Sequence, residues 1–92
     1  MGNYKRALGR AAWKFFHKFA NGIGVIGPRR LNKVKNMFSL IADLYPCHQC
    51  QHHFKKYIKT NKFYPSTNLS TYMCNFHNNV NVMLGKRQIQ CV

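Results

Sequence analysis

Ninety-two residues make one domain, residues 1–92, near the lower limit for a chain that buries its own core. With 46% hydrophobic and 14% aromatic residues the composition excludes a disordered chain; a formal net charge of +14, with Asp43 the only acidic residue, implies either an anionic partner or a fully solvated basic surface. No run of about 18 apolar residues occurs, which excludes a membrane-spanning helix, and the N-terminal stretch lacks the apolar core of a signal peptide.

From Lys5 to Ala20, the residues Leu8, Ala11, Ala12, Phe15, Phe16 and Phe19 recur at spacings of three and four, as in an amphipathic helix, with Lys14 and Lys18 turned the other way. Asn21-Gly22-Ile23-Gly24 stops that helix, because glycine past a last turn accepts the backbone that ends it. The segment to Pro28 reads as a loop. Leu31, Val34, Phe38, Ile41 and Leu44 mark a second helix, closed by Pro46, which disfavours helical geometry in the residue before it. A third begins at Cys47-x-x-Cys50 and runs through Phe54, Tyr57 and Ile58. Residues 61–68, with Pro65-Ser66-Thr67, form a connector ending in capping residues. Leu69, Tyr72, Met73, Phe76, Val80, Met83 and Leu84 make a fourth stripe, ended by Gly85. The tail, residues 86–92, is too short for more than a turn or a stub of a fifth helix. With no strand-like alternation and no repeat, the pattern predicts an all-α four-helix bundle with a short C-terminal tail.

Two clusters carry chemistry. Cys47-His48-Gln49-Cys50 follows a proline break at a predicted helix N-terminus, whose partial positive charge favours thiolate and so thiol–disulfide exchange. Four cysteines permit three pairings. Cys47 and Cys50 are close enough to bond to each other, and sixteen residues separate Cys74 from Cys91, enough to tie a tail to the fourth helix. A bare Cys-x-x-Cys divides about evenly between redox and metal chemistry. Cys47-x-x-Cys50 with Cys74-x-x-His77 supplies four zinc ligands of suitable type, and a basic zinc module would bind nucleic acid. Against this, Cys74 and His77 lie within a continuous helical pattern and Cys91 is left unexplained, so neither metal nor nucleic acid is the expected ligand. The second cluster is His77, Asn78 and Asn81, with Lys86 beyond. These hydrogen-bonding side chains occupy neighbouring helical rows beside an apolar stripe, where heteroatom-rich ring edges would satisfy them.

Taken together, Gly9-Arg10-x-x-Trp13-x-x-x-His17-x-x-Ala20, Leu44-Tyr45-Pro46-Cys47-x-x-Cys50-x-x-His53-Phe54, Cys74-x-x-His77-Asn78-x-Val80-Asn81-x-x-Leu84-Gly85-Lys86 and the final Cys91 resemble the Erv/ALR flavin-dependent sulfhydryl oxidases, in order and over almost the whole chain. The resemblance implies a helical bundle binding FAD noncovalently and forming a homodimer. It implies that Cys50 lies against the flavin while Cys47 engages substrate. Trp13, His17, His77, Asn78, Asn81 and Lys86 would line the FAD site, Arg10 would sit near its phosphates, and Cys74 with Cys91 would form a structural disulfide. The residues agree: Trp13 and His17 are one turn apart and can wall flat rings, while Arg10 and Lys86 offer cations to a pyrophosphate.

The implied activity is oxidation of a protein dithiol, with electrons passing through FAD to oxygen, giving peroxide, or to another acceptor such as cytochrome c. The charge suits an acidic substrate or a small thioredoxin-like Cys-x-x-Cys shuttle protein, since the sequence has no cysteine outside the four. Many relatives continue beyond Cys91 with a short helix, so a weakened hold on FAD, or a family-derived structural domain without it, is a second expectation. The family places such proteins in the mitochondrial intermembrane space, the secretory pathway or virus-infected cells, and the expectation for this chain is the intermembrane space or the cytoplasm or virion of an infected cell.

Overall fold

The computed structural model describes residues 2–91; Met1 and Val92, the two ends of the expected domain, lie outside it. The described chain is all-α: α1 spans Gly2–Ile23, α2 Pro28–Leu44, α3 His48–Thr60 and α4 Leu69–Met83. The β-type pairing among the described residues is an isolated antiparallel bridge between Val25 and Asn68. Residues 86–91 have no regular structure, so the tail forms no fifth helix there.

Each expected helix forms, with ends displaced by local chemistry. α1 runs past Ala20 because the residue that stops it is Gly24, not Gly22. Gly24 adopts φ 68° and donates its N–H to the Ala20 carbonyl at 2.9 Å, the single bond of a left-handed helix cap. α2 starts three residues before Leu31, because Pro28 fits the first helical position, where no N–H is needed. At the other end of α4, Gly85 takes φ 69°, Lys86 N–H reaches the Asn81 carbonyl at 2.7 Å and Gly85 N–H that of Val82 at 3.1 Å. This is a Schellman cap, and it fixes how the tail leaves the helix. Asn68 caps the start of α4, its Oδ1 accepting Thr71 N–H at 3.1 Å.

The chain divides into two compact units, residues 1–25 with 68–92 and residues 26–67. In the first, α1 and α4 run antiparallel: Asn21 meets Ser70 and His17 meets His77, so numbering rises along one helix as it falls along the other. Phe16, Ala20, Leu69, Tyr72, Met73 and Phe76 are its buried apolar residues, and Asn81 its buried polar one. In the second unit, Ile26, Val34, Phe38, Ala42, Phe54 and Phe63 are buried. Phe38 is fully buried, its ring centroid 6.1 Å from Phe54 and 5.7 Å from Phe63. Asp43 and Lys55 join α2 to α3 by an ion pair of 2.8 Å, both side chains 54% exposed, which contributes at most about 1 kcal/mol.

Candidate functional site

The second unit carries a disulfide at a helix start. Tyr45 ends α2 by donating its N–H to Ile41, and Pro46 then turns the chain. Cys47 is extended, with φ −166° and ψ 108°, and is the N-cap of α3. Its N–H donates to the Tyr45 carbonyl at 2.7 Å, its own carbonyl accepts Gln51 N–H at 2.9 Å, and its Sγ accepts Cys50 N–H at 3.3 Å. The Gln51 side chain also reaches back and donates from Nε2 to the Tyr45 carbonyl. Cys47 and Cys50 are disulfide-bonded across a Cα–Cα distance of 5.2 Å; Cys47 is half-buried and Cys50 exposed. One sulfur thus takes the place of a capping oxygen, in the partial positive charge of a helix N-terminus, where a thiolate is stabilised.

The first unit carries a wall of flat rings. Trp13 and His17 lie one turn apart on α1, and His77 faces them from α4. The Trp13 and His77 rings stack with centroids 4.0 Å apart and planes 8° apart; Trp13 and His17 stack at 5.9 Å and 28°. His17 Nε2 and His77 Nδ1 are 2.9 Å apart, so one imidazole donates to the bare nitrogen of the other. Burial lowers the His17 pKa from 6.5; burial lowers that of His77 too, followed by the charges of His17 and Lys86. These effects favour neutral rings, and the shared hydrogen bond needs at least one of the two to be neutral.

This arrangement makes stability depend on pH, with a definite sign. In the unfolded chain both rings take up protons from about pH 6.5 downward, whereas in the folded chain they resist until lower pH. The stabilising contribution is complete above 6.5 and is lost as the pH falls below it. Thermal melts between about pH 7.5 and 5.5 are expected to show a falling Tm. A Tm level across that range would show that the pair carries no such linkage.

The other expected residues take separate roles. Asn78 uses its carboxamide on the tail: Nδ2 donates to the Ile89 carbonyl and Oδ1 accepts Ile89 N–H, both at 2.7 Å. Nδ2 also lies 3.3 Å from Cys91 Sγ. Asn81, buried, donates to Asn78 Oδ1 at 3.4 Å while its main chain holds Lys86. Arg10 and Lys86 are exposed. Cys74 and Cys91 are disulfide-bonded, with Cα atoms 5.8 Å apart. A cavity of about 280 Å³ opens between His17 and Asn21 of α1, Ser70 and Cys74 of α4, and Ile89 and Cys91 of the tail. Asn21 and Ser70, hydrogen-bonded at 2.6 Å, and Gln51 are site residues missed at the level of sequence. Asn21 could have been found as the residue one turn past His17; Gln51 leaves no pattern. The zinc arrangement does not form. Cys74 pairs with Cys91, and among the described residues no three His, Cys, Asp or Glu side chains converge as metal ligands.

Residues 10–92 match the Erv1 / Alr family. The chain is 36% identical over 90 residues to the FAD-linked sulfhydryl oxidase ERV2 of Saccharomyces cerevisiae, covering 95% of this chain and 46% of that protein. It is 34% identical over 90 residues to the FAD-linked sulfhydryl oxidase ERV1 of Arabidopsis thaliana, covering 95% and 47%. The chain therefore spans about half the length of these relatives. Among solved structures, a double cysteine-to-serine mutant of Erv1 from Saccharomyces cerevisiae superposes with a TM-score of 0.85 at 28% identity, over 94% of this chain and 75% of the other.

Proposed function

The chain belongs to the Erv1 / Alr family, and on that premise we propose that it is an FAD-dependent thiol oxidase that forms disulfides in protein dithiols. The observation that carries this reading is the Cys47–Cys50 disulfide at the start of α3, with a main-chain N–H on the Cys47 sulfur. That is an arrangement suited to exchange rather than to bracing the fold.

The α1–α4 unit suits a flavin dinucleotide. It offers flat rings for stacking and imidazole and amide groups for ring edges. Every charged side chain in it is Lys or Arg, which favours a pyrophosphate. Its cavity of about 280 Å³ has room for one ring system rather than a whole dinucleotide. In this proposal Trp13, His17 and His77 stack on or edge the cofactor rings, Asn81 and Asn78 support them, and Arg10 and Lys86 face the phosphates. When bound, FAD accepts two electrons from a dithiol and delivers them to oxygen, forming peroxide, or to another acceptor such as cytochrome c.

The protein's own steps are thiol exchange. A substrate thiolate attacks Cys47 Sγ, breaking the Cys47–Cys50 bond and releasing Cys50 as thiolate. The second substrate thiol, deprotonated, attacks the substrate sulfur of that mixed disulfide and expels Cys47 as thiolate. The substrate leaves as a disulfide, having lost two electrons and two protons, and Cys47 and Cys50 are both reduced. The α3 N-terminus and Cys50 N–H stabilise the departing Cys47. The proposed partners are a protein dithiol, acidic in keeping with the charge of +14, and a second copy of the chain. The latter is supported by Phe15, 53% exposed and stacked on Phe19 along α1.

An absorption spectrum of the purified protein tests this reading. A visible flavin band that bleaches with dithiothreitol and recovers in air is the expected result. A protein that stays colourless when supplied with FAD would defeat the proposal and favour a family-derived structural domain.

A further inference from the structure

We propose that Gln51 is a positioning residue for the redox dithiol, holding Cys47 at the start of α3 with its sulfur against the Cys50 N–H. The inference rests on the thiol-exchange reading above but is tested without the cofactor. The Tyr45 carbonyl is the fixed point of the turn. Its residue is anchored to α2 through Tyr45 N–H and the Ile41 carbonyl at 2.9 Å, and it accepts Cys47 N–H at 2.7 Å. Pro46, between them, has no N–H of its own to add. Gln51 supplies a second donor to that oxygen from one turn inside α3, while its main-chain N–H holds the Cys47 carbonyl at 2.9 Å. A single residue thus grips the turn on both sides of Pro46. Tyr45 and Gln51 are half-buried, so water competes poorly for the carboxamide bond.

The consequence falls on the Cys47 sulfur. In the disulfide it is a weak acceptor, but as a thiolate it meets the Cys50 N–H and the helix N-terminus with a full charge. Both interactions depend on the extended backbone of Cys47 keeping Sγ over the first turn. With the Gln51 grip removed, the turn rotates more freely about Pro46 and the time-averaged stabilisation of the thiolate falls. A higher Cys47 pKa makes it a poorer leaving group when the mixed disulfide resolves.

The test uses the reduced chain, residues 1–92. The pH dependence of alkylation at Cys47 is followed by peptide mass spectrometry in the wild type and in Gln51→Met, which keeps the bulk and helix preference but removes the donor. Gln51→Ala serves as a second variant should methionine not be accommodated. The expected result is an upward shift of the Cys47 alkylation midpoint and several-fold slower alkylation at neutral pH. Cys74 alkylation should follow the wild-type profile. A Cys47 midpoint unchanged in both variants, with or without a lower Tm, overturns the proposal and leaves Gln51 a structural residue. A colourless protein would defeat the oxidase reading while leaving this titration to be decided on its own.

Discussion

Cys47→Ser and Cys50→Ser are each expected to abolish dithiol oxidation, by at least about three orders of magnitude, and the double variant to be no worse than either single one. The two sulfurs act as one unit, because neither can complete an exchange that needs a disulfide to be broken and remade. The chemistry of the N-cap makes the experiment clean. Serine is a preferred capping residue, so Cys47→Ser keeps a hydrogen-bond acceptor for Cys50 N–H and α3 should form as before. Loss of turnover would then be chemical, and circular dichroism spectra should superimpose. Cys50→Ser should keep its flavin, since the groups proposed to hold it belong to α1, α4 and the tail. Steady-state oxygen consumption with dithiothreitol is the measurement. A Cys50→Ser protein that still turned over would remove the Cys47–Cys50 pair from the electron route.

Cys74→Ser is expected to act on stability instead, lowering it by about 3 kcal/mol, which follows from a disulfide spanning 17 residues. For a domain of this size that corresponds to a fall in Tm of about 12–24 °C, read by thermal melts under non-reducing conditions at fixed FAD. The loss is large against the roughly 5–15 kcal/mol that holds such a domain together. Well below the new Tm, thiol exchange at Cys47 and Cys50, in the other unit, should persist. If Cys74→Ser instead stopped turnover and left the Tm in place, the two disulfides would have the opposite roles.

The helices were readable because their apolar residues recur at helical spacing, and Phe38, Phe54, Met73 and Phe76 are buried where those stripes put them. Their ends were less so. Gly22 and Gly24 are equally good stops by composition. Only the bond from Gly24 N–H to the Ala20 carbonyl decides between them, and periodicity does not encode it. Trp13 and His17 could be paired from their spacing. That Trp13 stacks more closely on His77, sixty-four positions later, depends on the register of α4 against α1. Asn78 shows what side-chain type leaves out. An amide beside an apolar stripe reads as a ligand for a ring, yet here both its donor and its acceptor engage the main chain of Ile89. That tail is irregular and carries no signal of its own. Gln51 was illegible for a related reason, since its partner is a carbonyl, which every residue has.

The scarcity of acid has a consequence for how this protein meets low pH. An average domain of this size carries roughly ten carboxylate side chains, and protonating those held in native ion pairs is what usually unfolds it. Here there is one, Asp43, in an exposed pair with Lys55. The usual acid transition therefore has almost nothing to act on. Acid sensitivity passes to His17 and His77, which share a hydrogen bond that is lost once both rings are protonated. Once that pair is charged, a single side-chain carboxylate is left for acid to neutralise, and the curve of stability against pH should flatten where other proteins continue to fall.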